Sequence, residues 1–262
     1  MAKATKAAST AKTKVEKILI SQPKPESEKS PYFDIAKKHN VKIDFHQFIK
    51  LEPLNAKEFR KQKIELAEYT AVILNSRNAV DHFFRVCEEM KFKVSQEMRY
   101  FCITEAIALY LQKFILYRKR KVFFSADGSV DGLMDVLSKY KDKEKFLIPV
   151  SENTKNDISP TLNKLGFNYS EAIVYRTVGN GVADVLNSDD YDLVVMFSPF
   201  GVDALNTEVP DFQERPILYG AFGHSAATEL EKLGVDLAIK APAPGTPSIS
   251  SALDKFLTEK NK

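Results

Sequence analysis

The chain has 262 residues, of which 44% are hydrophobic and 28% charged. That composition suits one large globular domain or two small ones, and no apolar run reaches the roughly 18 residues a membrane span needs. The formal charge of +3 hints at a nucleic-acid binder, but residues 1–14 hold Lys3, Lys6, Lys12 and Lys14 and no acid; those four taken from 38 basic residues leave 34 against 35 acids, so no nucleic-acid partner is expected.

The segment 1–14 is rich in Ala, Lys, Thr and Ser. It lacks the apolar core of a secretory signal and the arginines of a transit peptide, and is expected to be a disordered basic tail. The two cysteines, Cys87 and Cys102, and the four histidines, His39, His46, His82 and His224, show no zinc-ligand spacing, so no metal is expected. Both cysteines read as small core residues, which points to a reducing, cytoplasmic setting.

In chain order, 17–21 (KILIS) is a short buried strand, a Pro/Glu/Ser loop follows, and 29–38 is a helix. Residues 41–51 (VKIDFHQFIKL) partly alternate and are expected to form one half-exposed strand. Strand–helix units then repeat: 70–75 with 79–90, 100–104 with 105–114, 121–125 with 129–140, and 146–150 with 157–165. Residues 168–178 (NYSEAIVYRTV) form a second long alternating strand. After Gly179-Asn180-Gly181 the units resume: 193–197 with a helix near Val202, 217–222 with 225–233, and 235–240 with 248–259. Strands alternating with helices predict an α/β fold of parallel sheets covered on both faces.

The two series of units match. Ser76-Arg77-Asn78-Ala79-Val80-Asp81 and Ser198-Pro199-Phe200-Gly201-Val202-Asp203 both follow a strand and read S-x-x-small-V-D, 122 residues apart. Residues 104–108 pair with 223–227, and Ser129 with Ser248, each at an offset of 119. A near-constant offset over three units in the same order indicates duplication. The first series has a lead-in strand, 17–21, that the second lacks, so this strand is expected to complete the C-terminal lobe. The expected layout is lobe 1 over 15–45 and 179–262, connector strands 46–52 and 173–178 in an antiparallel two-stranded ladder, and lobe 2 over 53–172. A connector that thin permits hinge motion of the lobes.

In parallel α/β sheets ligands bind beyond the carboxyl ends of the strands, where helix N–H groups and dipoles favour anions. Ser76 and Ser198 fall there, as helix caps, anion ligands or both; Ser129 and Ser248 read as caps. Arg77 reads either as a bidentate carboxylate clamp or as a solvated arginine. Tyr175 reads as an amphipathic sheet residue or as one facing a ligand, and His224 as an anion donor or a surface histidine. Phosphate loops, dinucleotide-binding glycines, nucleophile elbows and zinc-protease motifs are missing. The residues suit a polyanion held by serines, backbone amides and a few cations.

Residues 71–80 (AVILNSRNAV), the tyrosine of 173–178 (IVYRTV), 194–202 (VVMFSPFGV), 221–235 (AFGHSAATELEKLGV) and the Pro-rich loop before SISSALDKF together resemble the uroporphyrinogen-III synthase family, in that order, over nearly the whole chain from Lys17. The resemblance implies two flavodoxin-like lobes joined by a two-stranded ladder, a cyclising lyase without cofactor, and hydroxymethylbilane as substrate, a linear tetrapyrrole with an acetate and a propionate on every ring. It implies loss of the terminal hydroxyl, inversion of ring D through a spiro intermediate, and closure to uroporphyrinogen III; a monomer is expected. Tyr175 matches the family's tyrosine, as general acid or hydrogen-bond donor. Ser76, Arg77, Thr104, Ser198, Pro199, Gly201, His224 and Ser225 fall at its substrate-binding junctions. Where the family commonly has Gly-Pro-Thr-Thr-Ala, this chain has Gly223-His224-Ser225-Ala226-Ala227, keeping one hydroxyl, and Ile107 replaces a frequent threonine. Two rivals remain on the residues alone: a two-lobed binding or sensor protein without catalysis, and a scaffold that binds through its basic tail.

Overall fold

The computed structural model describes residues 14–153 and 156–262. The expected tail, apart from Lys14, lies outside them. Along the chain run β1 (Lys17–Ile20), α1 (Pro31–His39), β2 (Lys42–Phe45), β3 (Ile49–Pro53), α2 (Ala56–Arg60), β4 (Ala71–Leu74), α3 (Arg77–Glu89), β5 (Arg99–Cys102), α4 (Glu105–Tyr110), β6 (Val122–Phe124), α5 (Val130–Leu137), β7 (Phe146–Ser151), α6 (Ile158–Leu165) and β8 (Tyr169–Gly179). They are followed by α7 (Val182–Ser188), β9 (Leu193–Met196), α8 (Pro199–Glu208), β10 (Leu218–Phe222), α9 (His224–Lys232), β11 (Leu237–Ala241) and α10 (Ile249–Lys260). Two compact units result, one of residues 1–50 with 178–262, the other of 51–177.

In the first unit the sheet order is β11-β10-β9-β1-β2, all parallel. The central strand β9 is apolar at every position, and β1 after Lys17, because both faces are covered. Ile18, Ile20, Leu193 and Val195 pack with α1 and α10 through Ile35, Leu253 and Leu257. Leu19, Val194 and Met196 point the other way, toward Leu186, Val202, Leu205 and Leu230 of α7, α8 and α9. The buried carboxylate of Asp192 accepts the N–H groups of Glu16 and Lys17 at 2.8 and 2.9 Å, which fixes the entry of β1 beside β9.

In the second unit the order is β3-β8-β7-β4-β5-β6. Ala71 and Ile73 face α5 and α6, while Val72 and Leu74 face α3 and α4. The pairs from β8 to β6 are parallel. β3 runs against β8: Asn180 N–H donates to Phe48 O and Leu54 N–H to Val174 O, so partners descend as the chain rises. The unit boundaries fall inside these two strands.

The first sheet has the flavodoxin-like order 2-1-3-4-5. The second has the same order if counting starts at β7 and β8 and continues with β4, β5 and β6. The duplication is therefore a circularly permuted one, and it explains why the matched segments are those following β4, β5 and β6 and those following β9, β10 and β11.

The expected single strand over 41–51 is two strands. β2 is parallel to β1, whereas β3 is antiparallel to β8, so the chain must change partners between them. The break is stapled by Asn180, whose side chain donates to Gln47 O at 2.9 Å and whose carbonyl meets His46 Nε2 at 2.6 Å. It also lets Phe48, 1% exposed, enter the core beside Val202. Phe48→Ala should lower unfolding free energy by about 3–5 kcal/mol, read from the urea midpoint at constant m-value.

Two helices went unpredicted. α2 carries a legible signal, the Asn55/Glu58 capping box, with both reciprocal bonds at 3.0 Å. α7 has no side-chain cap of its own and is seven residues long.

Candidate functional site

Every matched segment in the two series opens on a helix N-cap. Ser76, Thr104 and Ser129 precede α3, α4 and α5; Ser198, Gly223 and Ser248 precede α8, α9 and α10. A helix start leaves free N–H groups, and the chain treats them differently at each site.

In the unit of residues 51–177, Ser76 is in extended conformation and its Oγ accepts Ala79 N–H at 3.0 Å. The next residue, Arg77, is exposed, its guanidinium carbon 5.4 Å from the ring centroid of Tyr110. The Tyr110 hydroxyl donates to Asp81 at 2.9 Å, so the platform under Arg77 is itself anchored to α3. Thr104 Oγ1 takes Ile107 N–H at a long 3.4 Å.

The third junction is already filled. Asp127 Oδ1 accepts from Ser125 Oγ at 2.7 Å, Ser129 N–H at 2.9 Å and Ser129 Oγ at 2.7 Å, while Ser129 Oγ caps Gly132 N–H. Those bonds, the Ser125 hydroxyl first, hold the Asp127 carboxyl down to about 2, against an ordinary 3.8. Because the folded value is the lower one, the stabilisation is full above pH 3.8 and is lost as pH falls toward 2. Asp127→Asn should flatten the fall in Tm over that interval, followed by circular dichroism.

Tyr175 lies half-buried in β8, and its ring stacks on His82 of α3, centroids 4.8 Å apart and planes 23° from parallel. Its hydroxyl has no hydrogen-bond partner among the described residues. Burial, then the charge of Arg85, lowers the His82 pKa. Arg85 Nε donates to His82 Nδ1 at 3.4 Å, which leaves the ring proton on Nε2 of a neutral imidazole. The other arm of Arg85 donates to Leu54 O at 2.7 Å and Val174 O at 3.0 Å, tying α3 to β3 and β8 next to Tyr175. The neighbouring Arg176 is committed elsewhere, paired with Glu52, Glu58 and Glu152. His82 escaped the sequence reading, since nothing in a helical histidine announces a ring stack 93 residues away in sequence.

In the unit of residues 1–50 and 178–262, Ser198 Oγ accepts Gly201 N–H at 3.0 Å, with Pro199 opening α8. Gly201 is buried; a Cβ there would stand 3.3 Å from Ser198 Oγ and 3.4 Å from Met196 Cε, so glycine keeps this cap compact. α7 starts on a carboxylate, Glu208 Oε2 accepting Val182 N–H at 2.7 Å and Ala183 N–H at 3.3 Å. Ser248 caps α10 in a reciprocal pair with Ser251.

The start of α9 differs. Gly223, at φ +91°, offers no side-chain cap, and a Cβ built there meets nothing within 4 Å. His224 and Ser225 after it are exposed, with His224 Nε2 3.5 Å from Thr228 Oγ1. The first-turn amides of a nine-residue helix are thus left to whatever anion comes to them. Ile107 and Ala226, which stand where the resembled family often has threonine, are both buried and serve packing.

Cys87 and Cys102 are free and buried, and burial pushes both thiols up to about 12. Among the described residues no group of three or more His, Cys, Asp and Glu is placed to hold a metal ion. No helix among them is long and apolar enough to cross a membrane.

The family model for uroporphyrinogen-III synthase HemD matches residues 36–250. No curated protein matches the sequence. Among solved structures, a uroporphyrinogen-III synthetase from Helicobacter pylori superposes with a TM-score of 0.54 at 14% identity, over 93% of this chain and 99% of that one. A mutant uroporphyrinogen III synthase from Thermus thermophilus gives 0.49 at 13% identity, over 94% and 97%. At such identities the likeness concerns the fold.

Proposed function

The chain belongs to the uroporphyrinogen-III synthase family, a cyclising lyase of haem biosynthesis, and from that premise we propose which of its residues carry the reaction. Hydroxymethylbilane loses its terminal hydroxyl, ring D inverts, and the macrocycle closes as uroporphyrinogen III. A binding role without catalysis is not favoured.

Tyr175 is the proton donor to the departing hydroxyl. Pyrrole nitrogen pushes electrons toward the hydroxymethyl carbon, the C–O bond breaks, and the oxygen leaves as water with the phenol proton. The His82 stack fixes the ring plane and leaves the hydroxyl unpartnered, ready for a substrate oxygen. Each unit offers carboxylate seats at its helix starts: Ser76, Arg77 and Thr104 in residues 51–177, and Ser198, Pro199, Gly201, His224 and Ser225 in residues 178–262. Binding energy from these remote groups holds a flexible tetrapyrrole for ring closure.

One observation carries this assignment. The starts of α5 and α7 hold carboxylates of the chain itself, while the start of α9 is uncapped and flanked by exposed residues, which supports an anion seat there. We further infer a monomer that works in the cytoplasm without cofactor or nucleic acid, a reading supported by the two free buried thiols and by the charge balance beyond the N-terminal lysines. The test is the isomer ratio: with the full chain present, hydroxymethylbilane should be diverted from spontaneous uroporphyrinogen I to isomer III. Product that remains isomer I would overturn the reading.

A further inference from the structure

The unit of residues 51–177 has a cavity at the end of its sheet opposite the helix caps. It is about 410 Å³ and is walled by Phe84 and Cys87 of α3, Phe92, Met98, Tyr100 at the start of β5, and Phe114. Small-molecule sites fall in this range and share this make-up, apolar and aromatic with a few polar groups. The rings of Phe84 and Phe114 lie parallel, 4.7 Å apart and within 4°, forming a flat wall. Leu116 stands at the mouth, 78% exposed.

Two features of this cavity are unspent. Tyr100 lines the cavity, and its hydroxyl, which has no hydrogen-bond partner among the described residues, is open to a ligand. The rim is positive: Lys93, Arg118 and Lys121 line it against the single acid Glu88. Lys121 is committed, donating to Glu97 Oε2 at 2.5 Å. Arg118 donates to the neutral Gln96 at 3.3 Å, and neither Arg118 nor Lys93 has a carboxylate at ion-pairing distance among the described residues. The exposed Lys119 and Arg120 extend the same charge.

We propose that this cavity is a binding site for a small anionic amphiphile, its apolar body among Phe84, Met98 and Phe114, its polar atoms within reach of the Tyr100 hydroxyl, and its carboxylate at Lys93 and Arg118. An uncharged lipid leaves the two cations unused. A long acidic peptide needs a groove longer than a cavity of this volume. The site is separate from the helix caps, and its occupancy does not depend on the assignment of Tyr175 or of the carboxylate seats.

The probe is dodecanoate below its micellar concentration, titrated into the full chain by calorimetry and by displacement of anilinonaphthalene sulfonate. One molecule should bind per chain, saturably and more weakly as salt rises, with dodecanol weaker by about tenfold. The double variant Lys93→Glu/Arg118→Glu should lose about tenfold or more in affinity, because attraction becomes repulsion. Tyr100→Phe should lose a few-fold through one hydroxyl. Both variants should keep the wild-type Tm and isomer III synthesis, which separates loss of the site from loss of the fold. Absence of saturable binding, equal binding by wild type and the double variant, equal binding of dodecanoate and dodecanol, or uptake of many molecules per chain would each overturn the proposal.

Discussion

Tyr175→Phe should lower kcat for isomer III formation by on the order of 100-fold, the lower end of what a positioned general acid contributes. The substitution removes one oxygen and keeps the ring, so the stack on His82 and the packing of β8 against α3 survive and Tm should not move. The loss should fall on kcat and leave KM nearly unchanged, because the role proposed for the hydroxyl comes when the C–O bond breaks rather than when carboxylates bind. Ser76→Ala and Ser198→Ala should do less: each cap bonds an amide of its own helix, and water or substrate can replace it. A substrate analogue whose leaving group needs no proton provides the internal check. If Tyr175 is the acid, the Phe variant recovers most of the lost rate with that analogue. A variant that turns over hydroxymethylbilane within about threefold of wild type would remove Tyr175 from the chemistry.

How far the sequence reveals such a site depends on the range of the forces involved. The α/β units were legible because a strand covered on both faces must be apolar at every position, as 71–74 and 193–196 are. The helix starts were legible because a cap is written within four residues, as Ser76 and Ala79 or Ser198 and Gly201 show. The antiparallel meeting of β3 with β8 followed from the duplication, because a lead-in strand that completes the C-terminal lobe makes the chain cross over and return. What was not legible depends on residues far apart. The break after His46 exists because Asn180 bonds to it across 133 residues, and because Phe48 has a pocket to fill. Glu208 fills the start of α7 from 26 residues away. The Asp127 turn was local and readable in principle, as an aspartate two residues before a capping serine; its meaning, that this junction is closed to other anions, requires the hydrogen bonds. Among the candidate site residues, side-chain identity placed the caps, but the uncapped start of α9 was found by what Gly223 lacks.

That absence leads to the second large effect. Ser225→Asp should make the protein more stable and a poorer enzyme at the same time. A carboxylate in the first turn of α9 meets free amides and the positive end of the helix dipole, as Glu208 does at α7, and should raise stability by about 0.3–1 kcal/mol. The same charge occupies the seat proposed for a substrate carboxylate and repels it, so KM should rise by about tenfold or more while the Tyr175 step, and with it kcat at saturation, is spared. Ser225→Asn, equal in size and uncharged, should change KM little, which separates charge from bulk. Raising ionic strength should narrow the gap between the Asp and Asn variants, since this end of α9 is exposed and its field is screened. Stability and affinity moving in opposite directions is the signature to look for: a helix start that only caps would gain from the aspartate and leave KM where it was, whereas one that binds substrate cannot serve both anions.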